Sequence, residues 1–76
     1  METAETKTIE VVVNGAGRTI PAGLSIDRLV EWLKIDASRV AVELNGQIVR
    51  KLEWPAAAVL EGARIEVVWF VGGGAT

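Results

Sequence analysis

Neither cysteine nor histidine occurs in the 76 residues. Their absence excludes disulfides and a thiol nucleophile, and removes the commonest general base and the usual ligands of structural zinc. Charge of one sign is missing too: eight Lys and Arg stand against ten Asp and Glu, and only Arg50-Lys51 places two basic residues side by side, so the chain carries no footprint for nucleic acid. No apolar run is long enough to cross a bilayer, and the acidic start (Glu2, Glu5) lacks the basic-then-apolar order of a signal peptide. A soluble, cytoplasmic protein is expected. Ser25 and Ser38 have no partner to activate them in a triad, and neither a P-loop nor a GxGxxG is present. Catalysis by this chain alone is not expected.

What the chain does have is apolar side chains, 50% of the total, and three tryptophans. A single domain of this size needs nearly all of them in its core. After a polar stretch to Lys7 without periodicity, which reads as a disordered tail, Ile9, Val11 and Val13 alternate with Glu10 and Val12. That is a strand with one buried face. Asn14-Gly15 supplies a hairpin turn, and a second strand through Arg18-Thr19-Ile20 stops at Pro21-Ala22-Gly23. Ser25 stands where an N-cap belongs, Asp27 in the first turn, and Ile26, Leu29, Val30 and Leu33 then form a stripe at helical spacing, with Lys34 suited to the last turn.

Val40, Val42 and Leu44 predict another strand, turned at Asn45-Gly46 into a short return strand at Ile48-Val49. Residues 51–60, with Trp54, Pro55 and an alanine run, read as a short helical or 3₁₀ segment. Glu61-Gly62-Ala63-Arg64 reads as a turn and Ile65–Val71 as the last strand, followed by Gly72-Gly73-Gly74-Ala75-Thr76. The fold class is α+β: a mixed sheet of four to five strands packed on one main helix, the last strand parallel to the first at the sheet centre. This is the ubiquitin-like β-grasp arrangement, spanning residues 8–71, with tails at 1–7 and 72–76. Within the last strand Ile65, Val67 and Trp69 are expected inward, and Glu66, Val68 and Phe70 outward. Trp32 and Trp54 are expected as lids on the core.

Leu44-Asn45-Gly46, Ile48-Val49, Trp54 and Leu60-Glu61-Gly62, then Ile65 through Gly74, together with Asn14-Gly15 and the helix entry Ala22–Ile26, resemble the ThiS-type sulfur carriers of thiamine biosynthesis. The chain departs from that pattern at Arg50-Lys51, at Ala63, and in having Ala75-Thr76 after the glycines.

The resemblance implies a protein co-substrate, not an enzyme, with no cofactor bound. An E1-like adenylyltransferase of the ThiF type would use ATP to adenylate the carboxylate of Gly74. A sulfur donor enzyme would follow, giving a thiocarboxylate, and a thiazole synthase of the ThiG type would take up the sulfur. Gly72, Gly73 and Gly74 suit this because residues without Cβ thread a narrow enzyme pocket, and three extended residues reach roughly 10 Å. Ala75 and Thr76 would then have to be absent from the reacting form. Val68 and Phe70, apolar and beside the tail, are the expected docking patch for a partner. Two alternatives stay open: a small subunit of molybdopterin synthase, and a β-grasp protein modifier or binding module without sulfur chemistry.

Overall fold

The computed structural model describes residues 7–70. Strands β1 (Thr8–Val13) and β2 (Ala16–Pro21) form a hairpin, helix α1 (Ile26–Trp32) follows, and β3 (Val40–Leu44) and β4 (Gln47–Val49) form a second hairpin. A 3₁₀ segment at Lys51–Ala56 leads back to β5 (Arg64–Trp69). The five strands lie in the order β2-β1-β5-β3-β4, with β5 parallel to β1 and antiparallel to β3. The α+β β-grasp expected from the sequence is the fold observed.

Period-two alternation puts Val11, Val13, Ile20, Val40, Val42, Ile65 and Val67 on one side of the sheet, where they pack on Ile26, Leu29 and Val30 of α1. Trp54 joins this core, and its indole Nε1 donates to the Val49 carbonyl at 2.8 Å. That bond ties the 3₁₀ segment to the end of β4, the strand at one edge of the sheet.

Four local expectations are corrected. Ser25 holds the N-cap backbone position, yet its hydroxyl donates to the Asp27 carboxylate and makes no capping bond. The first helical N–H, that of Ile26, donates to the Ala57 carbonyl at 2.9 Å, from the segment that packs over the helix entry. Lys34 lies beyond the last turn with φ +62°: its N–H donates to the Glu31 carbonyl and that of Ile35 to Val30, a Schellman ending with lysine in the place glycine usually takes. Pro21 is paired as the final residue of β2, an outer strand, where a missing N–H is tolerated. Trp32 is 43% exposed and is no lid.

Candidate functional site: the outgoing end of β5

The described residues end at Phe70, one position past β5, and the glycines follow in sequence, so the surroundings of this end of β5 bear on what a partner meets there. Two Asn-Gly turns hold this strand in place. In both, Asn and Gly adopt positive φ (50° and 83° at Asn14-Gly15, 52° and 87° at Asn45-Gly46), as a two-residue hairpin of type I′ requires. In both, the asparagine side chain also reaches across to β5. Asn45 Oδ1 accepts from the Arg64 N–H at 2.9 Å. On the opposite side of the strand, Asn14 Oδ1 accepts from the Val67 N–H at 2.7 Å, and Asn14 Nδ2 donates to the Val67 carbonyl at 3.2 Å. The Asn14 amide therefore stands in for one more residue of β1. Sequence reading gave these asparagines only their turn role, because a bond across 53 positions leaves no local trace.

Past that point β5 has a neighbour on one side only. The Phe70 N–H donates to the Arg39 carbonyl at 2.9 Å, continuing the ladder with β3. Val68 is 52% exposed, Trp69 51% and Phe70 56%. The expected outward placement of Val68 and Phe70 agrees with these values. Trp69 was expected inward with Ile65 and Val67, and it does continue their side of the sheet, but half of it faces solvent. Val68 stands opposite Ala41, too short to cover it. Lys51 Nζ lies 5.9 Å from the Phe70 ring centre and 5.8 Å from that of Trp54, so one cation covers part of Phe70 and links it to the core edge.

Charges flank this apolar end. On the outer face Glu43 and Glu66 stand directly opposite each other in neighbouring strands, a like-charge pairing that weakens a sheet slightly. Asp36, at the turn before β3, accepts from both the hydroxyl and the N–H of Ser38 (2.7 and 3.0 Å), and these bonds hold its carboxyl below the ordinary aspartate range. Arg39 pairs with it at 3.4 Å. Gly72, Gly73 and Gly74 lie outside the described residues. Among the described residues no three His, Cys, Asp or Glu side chains converge as metal ligands, and no helix is long and apolar enough to cross a membrane.

The model of the ThiS family matches residues 6–74, through the last of the three glycines. The chain belongs to the ThiS family. A crystal structure of the thiamine biosynthesis protein ThiS from Geobacter metallireducens superposes with a TM-score of 0.77 at 33% identity, covering 87% of this chain and 100% of that one. A solution structure of a thiamine biosynthesis protein from the same organism gives 0.72 at 31% identity, with 90% and 91% coverage. Two thiazole synthases are similar over 66 residues, that of Paramagnetospirillum magneticum at 38% identity and that of Magnetococcus marinus at 33%. This chain spans 20% of the length of each.

Proposed function

We propose that this ThiS-family chain is a sulfur carrier of thiamine biosynthesis that works in the cytoplasm through the carboxylate of Gly74. The observation that carries this reading is the family match, which runs through the glycines and ends at Gly74. A carboxylate is a poor electrophile. An E1-like adenylyltransferase of the ThiF type therefore joins it to the AMP portion of ATP, releasing pyrophosphate. A sulfur donor enzyme then supplies the sulfur that displaces AMP, leaving a thiocarboxylate at the end of the chain. Gly72 and Gly73 let that end pass into an enzyme pocket without a Cβ to obstruct it.

Transfer of the sulfur to the forming thiazole ring falls to a thiazole synthase of the ThiG type. The two similar synthases favour that partner over a large subunit of molybdopterin synthase, since in each of them a segment resembling this chain is part of the same polypeptide. Val68 and Phe70, apolar and exposed at the end of β5 nearest the glycines in sequence, are the docking contacts of this reading. Glu43 and Glu66 beside them favour enzyme surfaces that carry a basic group next to an apolar one.

The reading requires a free carboxylate on Gly74, whereas the sequence continues with Ala75-Thr76. Incubating a Gly74-terminated protein with the adenylating enzyme and ATP is expected to release pyrophosphate, and the protein ending at Thr76 is expected to release none. Equal turnover by both would remove Gly74 as the reacting residue. A mass spectrum of the intact protein from its host, lacking any sulfur-for-oxygen increment under sulfur-replete growth, would argue against the thiocarboxylate itself.

A further inference from the structure

We infer that the enzyme receiving the tail adds a strand of its own to β5, pairing with the main chain of Trp69 on the side that faces past the end of β1. The inference rests on the proposed carrier function, and its starting point is the hydrogen-bond phase of β5. Asn45 N–H donates to the Arg64 carbonyl and Phe70 N–H to the Arg39 carbonyl, so residues 64, 66, 68 and 70 bond toward β3. The odd residues bond the other way. The carbonyls of Ala63 and Ile65 accept from Val12 and Asn14 of the first hairpin (2.9 and 2.8 Å), and Val67 is taken at both its groups by the Asn14 side chain. Trp69 is next in that series. Its N–H and C=O point to the same side, beyond the hairpin tip, and among the described residues nothing meets them.

An N–H and C=O that water can reach cost nothing in the free protein, but they must be paired once a partner covers them. The side chains give the same message. Val68 and Phe70 are half exposed on one face of β5 and Trp69 on the other, which is what an empty neighbouring strand position produces. The occupant this place fits is an extended peptide segment with apolar side chains on both of its faces, the mode in which one protein lengthens the sheet of another. It belongs to the tail-processing enzyme because Trp69 lies only five residues before Gly74 in the sequence, so an enzyme that takes up that carboxylate must also lie close to this open strand position. Asn14 sets where the open stretch begins.

The test follows the exchange of individual amide hydrogens by NMR in ¹⁵N-labelled, Gly74-terminated protein, free and saturated with the adenylating enzyme without ATP. The Trp69 amide is expected to exchange freely at first and to slow by roughly tenfold or more in the complex. As a second arm, Trp69→Pro removes the N–H and is expected to bind the enzyme roughly tenfold more weakly than Trp69→Ala, which removes only the side chain. If Trp69→Pro loses the circular dichroism of the parent, the exchange measurement decides alone. An unprotected Trp69 amide in a complex that still supports adenylation overturns the added strand and leaves the carrier function standing. Protection that grows with protein concentration in the absence of enzyme makes a second copy of this chain the occupant, and also overturns the inference. Absence of both binding and adenylation overturns the carrier function and this inference together.

Discussion

From Arg64 to Val67, β5 is held by backbone or asparagine side-chain bonds on both sides, and Ile65 and Val67 are buried against α1. From Val68 to Phe70 the same strand keeps only β3, and every one of its side chains is at least half exposed. The more apolar stretch, Val68 to Phe70, is the exposed one, and the stretch that carries Arg64 and Glu66 holds the buried side chains, so hydrophobicity does not decide which is covered. Position in the sheet does. The first stretch has its neighbours within the chain, and the second is left for a neighbour from outside. A central strand ordinarily loses all its main-chain groups to the fold; here one end of it is spared, and that end leads into the glycines.

Truncating a side chain in each stretch tests this division most severely. Ile65→Ala should cost about 2–5 kcal/mol, like Leu29→Ala across the same core, because each opens a cavity among side chains that are fully buried. For a domain of this size that approaches the whole margin of stability. Val68→Ala should stay within about 0.5 kcal/mol of the parent. Denaturant unfolding of the variants provides the comparison, and equal losses at Ile65 and Val68 would abolish the distinction between the two halves.

Reversing the readout sharpens it. Val68→Asp or Phe70→Asp should leave the far-ultraviolet circular dichroism unchanged while weakening binding to the adenylating enzyme by about 2 kcal/mol or more, since a charge facing water is harmless and a charge in a desolvated contact is not. Titration calorimetry measures the effect. Unfolding of either variant would show that its side chain supports the core.

Asn14 marks the boundary between the halves, and Asn14→Gly moves it. Glycine keeps the positive φ of the turn but leaves both main-chain groups of the buried Val67 without their partner. The expected cost is about 1–3 kcal/mol. In amide exchange, the fast-exchanging stretch should lengthen from Trp69 back to Val67. A Val67 amide that stays protected would mean that another group closes the strand.

Much of this arrangement is legible in the sequence where the cause is local. Asn-Gly twice between alternating segments gives both hairpins, and the stripe Ile26, Leu29, Val30, Leu33 gives the helix and its buried face. What the sequence hides depends on distant partners. Alternation assigns Trp69 to the inner face correctly, but burial also requires something to cover that face. Ser25 looks like a cap, but its hydroxyl donates to the Asp27 carboxylate in place of accepting a helical N–H. Lys34 ends the helix in a conformation that local pattern would assign to glycine. The candidate site divides in the same way: Val68 and Phe70 follow from strand phase, whereas the free main chain of Trp69 emerges only from the register of three strands.

The smallest expected effect concerns the anchor of the exposed half. Phe70 hangs on the Arg39 carbonyl, and Arg39 closes a turn whose first residue is Asp36. Bonds from the Ser38 hydroxyl and then the Ser38 N–H lower the Asp36 pKa, with the nearby charges of Arg39 and Lys51 adding to them and desolvation opposing. A carboxyl whose pKa is lower folded than unfolded binds fewer protons in the native state, so it contributes stability above the ordinary aspartate range and loses that contribution as pH falls through the lowered value. Because Asp36 is exposed, the contribution is screened and the shift in melting temperature between wild type and Asp36→Ala should be small at neutral pH and vanish in strong acid. The sharper signal is local. As pH drops, amide exchange at Phe70, corrected for its intrinsic pH dependence, should quicken before exchange at Ile65, whose partners lie at the other end of the sheet. If the two amides lose protection together, the turn at Asp36 does not govern the exposed half, and the two stretches of β5 open as one unit.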